Sequence, residues 1–299
     1  MQTNTLDNLL SCADYTVFRS EPMSEHTSFK IGGNAGYYVL PANAEAVGKL
    51  IRACKESKVK TLYFGNGSNI LFNDFGFDGV VISSAALTDI ELRGDGVIAC
   101  GSGVKNSVLC KFALENSFSG FEFLWGIPGT VGGAAFMNAG AYGSEICSVA
   151  VGCDYVDDSG DVKYISAEDM QLSYRHSIFS ENGGFITRVY LKGKPAAKEQ
   201  IRQKMDDLIE RRRSKQPLEY PSAGSVFKRP EGHFAAALIE ECGLKGVSVG
   251  GAQVSEKHSG FIINTGDATA SDVKQLIEQI KKTVFLKTGV KLECEIRMV

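Results

Sequence analysis

The sequence contains no CxxC pair, no apolar run of membrane-spanning length, no basic excess and no repeat of solenoid length. Each absence removes a class of protein. Zinc ribbons and thioredoxin-like redox sites need paired cysteines, and the eight present (Cys12, Cys54, Cys100, Cys110, Cys147, Cys153, Cys242 and Cys294) are scattered singly among mostly apolar neighbours. They read as reduced structural thiols with no metal site, although Cys147 and Cys153 leave a redox role open. A transmembrane helix needs roughly 20 apolar residues in a row, and MQTNTLDNLL lacks the basic n-region and apolar core of a secretory signal, so a cytoplasmic protein without a membrane partner is expected. A net charge of −3 argues against a nucleic-acid partner, since phosphate neutralisation calls for lysine and arginine in excess. With 299 residues, 43% of them hydrophobic and 22% charged, the chain has material for two or three packed units.

Periodicity organises those units. The segment Ala44–Lys58 carries Val47, Leu50, Ile51 and Cys54 at helical spacing, between short strands at Tyr37–Leu40, Thr61–Phe64 and Val80–Ile82. From Asp89 onward, hairpins are predicted at Glu91–Cys100 and Cys153–Ile165, with a helix at Ser107–Asn116 and a strand at Phe185–Leu191. A polar helix over Ala197–Lys215 carries Arg211, Arg212 and Arg213, which read as a solvated helix end. Beyond it, helices at Phe234–Cys242 and Ser271–Thr288 and strands at Gly260–Asn264 and Leu292–Met298 form a separate α+β unit. The fold class is α+β, divided at 1–88, 89–195, a connecting helix and linker at 196–222, and 223–299.

Two glycine-rich segments stand out. Gly65-Asn66-Gly67-Ser68-Asn69 follows a strand directly, as a phosphate-binding nest would, but it lacks both the Walker lysine and the third Rossmann glycine. By itself it reads first as an ordinary tight turn. Trp125–Gly143 holds six glycines and is too apolar for a flexible linker. Its small residues imply a backbone packed closely against either another chain segment or an extended cofactor.

Taken together, Gly65–Asn69, Gly126–Gly143, Tyr174-Arg175, Ala223–Lys228 and Leu292–Glu295 resemble the UDP-N-acetylenolpyruvoylglucosamine reductases of bacterial peptidoglycan synthesis. The resemblance runs from about Thr27 to Arg297, in one order and at compatible spacing. It implies a vanillyl-alcohol-oxidase-like FAD-binding fold of two subdomains, followed by a substrate-binding domain of the compact type. It also implies FAD as cofactor, NADPH as electron donor and a UDP-sugar as substrate; a monomer is expected. The flavin would lie on Gly65, Asn66, Gly67, Ser68, Asn69, Pro128, Gly129, Thr130, Gly132, Gly133, Ala134, Asn138 and Gly140. The resemblance makes Ser225 the proton donor, Arg175 the group that polarises the substrate carboxylate, and Glu295 the carboxyl that stabilises an enolate-like charge. Tyr174, Lys215, Arg229 and His258 would bind substrate. Some relatives have asparagine where this chain has Arg229, which leaves that residue's phosphate contact open.

The residue types suit this chemistry. A serine hydroxyl is a weak acid and serves only when held at about 2.6–3.2 Å from the carbon it protonates. A guanidinium fork matches a carboxylate better than an ammonium does. Strand alternation would put Glu293 and Glu295 on one face, each raising the other's pKa. Without the resemblance, Ser225 is a turn residue, Arg175, Lys215 and His258 are surface residues, and Glu295 belongs to an exposed edge. Two other functions stay open: an oxidase with covalently attached flavin, against which no histidine lies in the first glycine loop, and a nucleotide-sugar sensor, which would not need the acid and the polarising pair.

Overall fold

The computed structural model describes residues 3–299; Met1 and Gln2, which head the segment read for a secretory signal, lie outside them. Contacts divide the chain into two units. One comprises the described residues up to Ser20, with Gly36–Asn66 and Asp78–Glu210; the other comprises Glu21–Ala35, Gly67–Phe77 and Arg211–Val299. The units interleave along the sequence, so the short segments 21–35 and 67–77 group with the C-terminal part. Among the described residues, no helix is long and apolar enough to cross a membrane.

The first unit has two cores. In one, the helix Ala44–Glu56 buries Val47, Leu50, Ile51 and Cys54 with Val39, Val80 and Ile82. Asn43 caps this helix by accepting from the Ala46 amide at 2.9 Å. The associated sheet runs in the order Tyr15–Pro22, Asn34–Pro41, Phe77–Ser83, Thr61–Phe64. Thr61–Phe64 pairs in parallel with Phe77–Ser83, Thr61 opposite Val80, and its carboxyl end delivers the chain to Gly65. That is the end of a parallel strand where α/β sheets hold their ligands. The other core lies under an antiparallel sheet ordered Val162–Ser166, Ala150–Val156, Phe185–Lys192, Val97–Gly101, Ile90–Leu92. The helices Asn106–Glu115 and Val131–Phe136 contribute Leu109, Cys110, Val131 and Ala135 to it. The expected hairpin at Glu91–Cys100 is present, turning through Gly94–Gly96 with Asp95 in the left-handed region at φ 58°.

The second unit is a sheet ordered Ser222–Ser225, Phe261–Asn264, Ala252–Val254, Ser248–Val249, packed by the helices Ala235–Glu241 and Ala270–Thr288. The longer helix begins at a capping box made by Thr269 and Asp272 and stops at Gly289, φ 75°.

Two expectations need correction. Leu292–Met298 is not one strand. Glu293 and Glu295 bond to the main chain of Lys228 and Val226, whereas Arg297 and Val299 bond to Asn69 and Leu71. The partner changes at Ile296, and only Arg297–Met298 remains regular, parallel to Ile70–Leu71. The basic run at Arg211–Arg213 is not a uniformly solvated end either, because Arg212 is buried. The thiols are largely structural, as expected. Burial pushes Cys54 up to about 11 and Cys100 up to about 12, and it raises Cys153 as well. A thiol held protonated in this way is inert, which removes the redox reading for Cys153.

Candidate active site

In the first unit Gly65, at the head of the first glycine-rich segment, meets Thr130 of the second. A Cβ on Gly65 would lie 3.0 Å from the Thr130 hydroxyl oxygen and, its chain neighbours aside, within 4 Å of no other atom among the described residues. The Thr130 hydroxyl accepts from the Gly133 amide at 3.3 Å and so caps the helix Val131–Phe136. Gly129 precedes it at φ 135°, a backbone that side chains disfavour. Two buried polar atoms beside this junction, Ser102 Oγ and Asn106 Oδ1, have no hydrogen-bond partner among the described residues. Asn106 is held there by the Gly129 carbonyl, which accepts from its amide, and the Ser102 carbonyl accepts from the Gly132 amide.

The small residues of the second segment do different jobs. A Cβ on Gly132 would come within 2.5 Å of Ser102 Cβ, and one on Gly140 within 2.5 Å of Glu145 Cγ. These two glycines permit close packing of the chain on itself. Ala134 is buried in the core. Pro128 is exposed, and Gly133 is partly exposed. Asn138 is fully buried at φ 41°, and its carboxamide is engaged with Glu145, Cys147 and Ser173.

Tyr174 and Arg175 form the tip of a two-residue turn. Ser173 and His176 exchange both main-chain hydrogen bonds, at 3.2 and 3.1 Å. Arg175 takes the left-handed backbone, φ 56°, and its guanidinium lies 5.0 Å from the centroid of the Tyr174 ring. A non-glycine residue in that region is held there by its surroundings.

In the second unit, Ser225 ends its strand just after a bulge. The pairing with Phe261–Asn264 slips between Ser222 and Ser225, and Gly224 between them sits at φ 76°. Such bulges re-aim a side chain, and Ser225 is exposed. The chain then pairs with the C-terminal segment: Phe227 faces Cys294, and the Glu295 amide donates to the Val226 carbonyl at 2.8 Å. Asn69 donates through Nδ2 to the Glu295 carbonyl at 3.2 Å. Ser28 joins Gly67 to Ser222, with its amide bonding the Gly67 carbonyl and its hydroxyl the Ser222 carbonyl at 2.7 Å. The segments of Ser225, Glu295 and the Gly67–Asn69 loop are therefore laced together by hydrogen bonds to main-chain carbonyls. Glu293, expected to crowd Glu295, is exposed and reaches the Lys228 ammonium at 3.6 Å, so the partner found for it is a cation.

Known proteins resemble this chain in sequence and in fold. Residues 216–299 match the family model described as the C-terminal domain of UDP-N-acetylenolpyruvoylglucosamine reductase, and residues 35–166 match an FAD binding domain. The reductase of that name from Caldanaerobacter subterraneus subsp. tengcongensis is 46% identical over 95% of this chain and 93% of its own length. The one from Clostridium perfringens SM101 is 47% identical over 96% and 93%. The chain belongs to the UDP-N-acetylenolpyruvoylglucosamine reductase family. The crystal structure of the Thermus caldophilus reductase superposes with a TM-score of 0.81 at 32% identity, covering 95% of this chain and 98% of that one. Berberine bridge enzyme from Eschscholzia californica, at 16% identity, covers 66% of this chain and 44% of its own with a TM-score of 0.50 and shares the fold alone. The fold is the α+β, vanillyl-alcohol-oxidase-like one.

FAD, the cofactor of this reductase family, fits the junction in the first unit. The open side of Gly65, the left-handed Gly129 and the two orphaned polar atoms suit a group that brings its own hydrogen-bonding partners. Ser102 and Asn106 were not singled out from the sequence. A buried serine in Gly-Ser-Gly gives no periodic signal, and only its missing partner marks it.

The remaining substrate candidates lie in the second unit. Lys215 is exposed at the end of its helix. Arg229 lays its guanidinium 4.5 Å from the Phe234 ring centroid, which orients it at the surface. His258 is half-buried. Its Nδ1 accepts from the Gly260 amide at 3.1 Å, which fixes the neutral ring with its proton on Nε2, and its ring stands edge-on to Phe261. Burial, with a smaller push from Lys245, holds the imidazole below its ordinary 6.5. The unfolded chain therefore takes up this proton first as pH falls through 6.5, and stability drops there. Urea midpoints measured at about pH 7.5 and 5.5 should differ by less in His258→Gln than in the unaltered protein.

Proposed function

We propose that this chain reduces UDP-N-acetylglucosamine enolpyruvate to UDP-N-acetylmuramate with NADPH as electron donor, in peptidoglycan precursor synthesis, and that Ser225, Arg175 and Glu295 carry the reaction. The observation that carries the reading is the lacing of Ser225 and Glu295 to the Gly67–Asn69 loop through Val226, Asn69 and Ser28. It gathers the proposed acid, the proposed carboxyl and part of the proposed cofactor loop within one packed unit.

FAD, when bound, supplies the transfer of a hydride equivalent from NADPH to one carbon of the enolpyruvyl double bond. Ser225 delivers a proton from its hydroxyl to the neighbouring carbon, which completes the saturated lactyl ether. The exposed position after the Gly224 bulge leaves that hydroxyl accessible. Arg175 faces the carboxylate of the enolpyruvyl group, where negative charge grows as the double bond accepts electrons; its permanent charge suits that task. Glu295 holds the enolate-like charge through its carboxyl, on a backbone fixed by Val226 and Asn69.

Gly65, Asn66, Gly67, Ser68, Asn69, Pro128, Gly129, Thr130 and Gly133 offer main-chain and hydroxyl groups to the cofactor. Gly132, Ala134 and Gly140 shape the segment by packing. Lys215 and Arg229 provide cationic charge for the UDP pyrophosphate, Tyr174 an aromatic face, and His258 a neutral Nε2–H donor. The enzyme acts in the cytoplasm as a monomer.

The test is spectroscopic. Purified protein should carry flavin absorbance and oxidise NADPH rapidly only when the enolpyruvyl UDP-sugar is present. Tight binding of FAD and the UDP-sugar without turnover would leave a sensor in place of an enzyme.

A further inference from the structure

The Asn138 carboxamide makes three hydrogen bonds, all to protein. Its Nδ2 donates to Glu145 Oε2 at 2.9 Å and to the Ser173 carbonyl at 3.0 Å, and its Oδ1 accepts from the Cys147 amide at 2.9 Å. The side chain is fully buried, and the backbone sits at φ 41° to aim it. Two donors and one acceptor site are thus used within the chain, leaving the group poorly placed to serve the cofactor. What it grips is the base of the turn that carries Tyr174 and Arg175. On the other side of that turn, the buried Ser177 donates its hydroxyl proton to the Phe136 carbonyl at 2.6 Å. The two bonds strap the turn from both ends to the C-terminal end of the helix Val131–Phe136.

We infer that Asn138 is a positioning residue for Arg175, which it holds through the Ser173 carbonyl, and not a ligand of the cofactor. The inference rests on the proposed role of Arg175. Its geometry has its own consequence, however: a turn released from one strap exposes its arginine. A guanidinium that has to meet a carboxylate in the transition state loses much of its effect when displaced by about 1 Å, on the order of a hundredfold.

The experiment uses the full-length holoenzyme and its Asn138→Ala, Ser177→Ala and Asn138→Asp variants, the last keeping the acceptor for Cys147 and removing the donors to Ser173 and Glu145. Trypsin cleavage after Arg175, followed by mass spectrometry, should accelerate in all three by more than the accompanying fall in the urea midpoint accounts for, with no matching acceleration at arginines and lysines elsewhere in the chain. In parallel, Asn138→Ala should retain FAD and its reduction by NADPH but slow re-oxidation by the enolpyruvyl UDP-sugar about 10- to 100-fold. Added to Arg175→Ala, the same change should cost almost nothing further. Unchanged cleavage after Arg175 would overturn the inference. So would a loss of FAD affinity with normal re-oxidation of the flavin that remains, or a full additional loss in the Arg175→Ala background. If Asn138→Ala does not fold, Asn138→Asp and Ser177→Ala give the same readings. A wild-type protein that is never re-oxidised would count against the proposed reaction alone, and the cleavage result would still decide the strap.

Discussion

Ser225→Ala should give a yellow protein that NADPH bleaches at the normal rate and that the enolpyruvyl UDP-sugar scarcely re-oxidises. The expected loss is about 10²–10⁴-fold in the re-oxidation rate, the range for removal of a positioned proton donor. The prediction is selective because Ser225 is exposed and its strand is held by main-chain bonds: Ser222 pairs with Ile263 and the Val226 amide with the Gly260 carbonyl. Deleting one exposed hydroxyl leaves that ladder intact, so stability should change by no more than about 0.5 kcal/mol. Stopped-flow absorbance separates the two halves of the cycle. Equal slowing of flavin reduction and re-oxidation would assign Ser225 to general binding and remove it as the acid.

Glu295→Gln should be the second large effect, at about 10²–10³-fold on the same half-reaction. Glutamine keeps the size of the side chain, and the main-chain bonds of residue 295 to Val226 and Asn69 do not involve the carboxyl. The substitution removes only the capacity to ionise or share a proton. Flavin reduction by NADPH and binding of the UDP-sugar should be nearly unchanged, so kcat should fall with little change in KM. A rise in KM at constant kcat would make Glu295 a ground-state binding group.

Much of the architecture could be read from local pattern. The helix Ala44–Glu56 and the strand Thr61–Phe64 emerged because their apolar spacing is set by burial against neighbours close in sequence. The C-terminal run was misread for a reason of the opposite kind. Alternation along Leu292–Ile296 persists, with Leu292 and Ile296 buried and Glu293 exposed, but the ladder divides between Val226–Lys228 and Asn69–Leu71. No local signal records a change of partner from a segment more than 60 residues upstream to one more than 200 residues upstream.

The glycine-rich segment shows the same limit within one motif. Gly65 and Gly132 both need to be small, yet Gly65 faces open space beside Thr130 while Gly132 is filled by Ser102. Composition cannot separate a cradle from a packing contact; that takes the identity of the nearest atoms. Asn138 reads as a polar contact in a cofactor segment, but its carboxamide is consumed by bonds to positions 7, 9 and 35 residues away. The roles of Ser225, Arg175 and Glu295 came from family resemblance, since taken singly each is an ordinary turn, surface or edge residue.

The most direct measurement is an anaerobic single turnover. Holoenzyme reduced with one equivalent of NADPH is mixed with the enolpyruvyl UDP-sugar, and flavin absorbance and product are followed together. Full return of the oxidised flavin band, with one UDP-N-acetylmuramate formed per flavin, is the predicted result. A flavin that stays bleached in the presence of that sugar, or that re-oxidises without forming the lactyl ether, would contradict it.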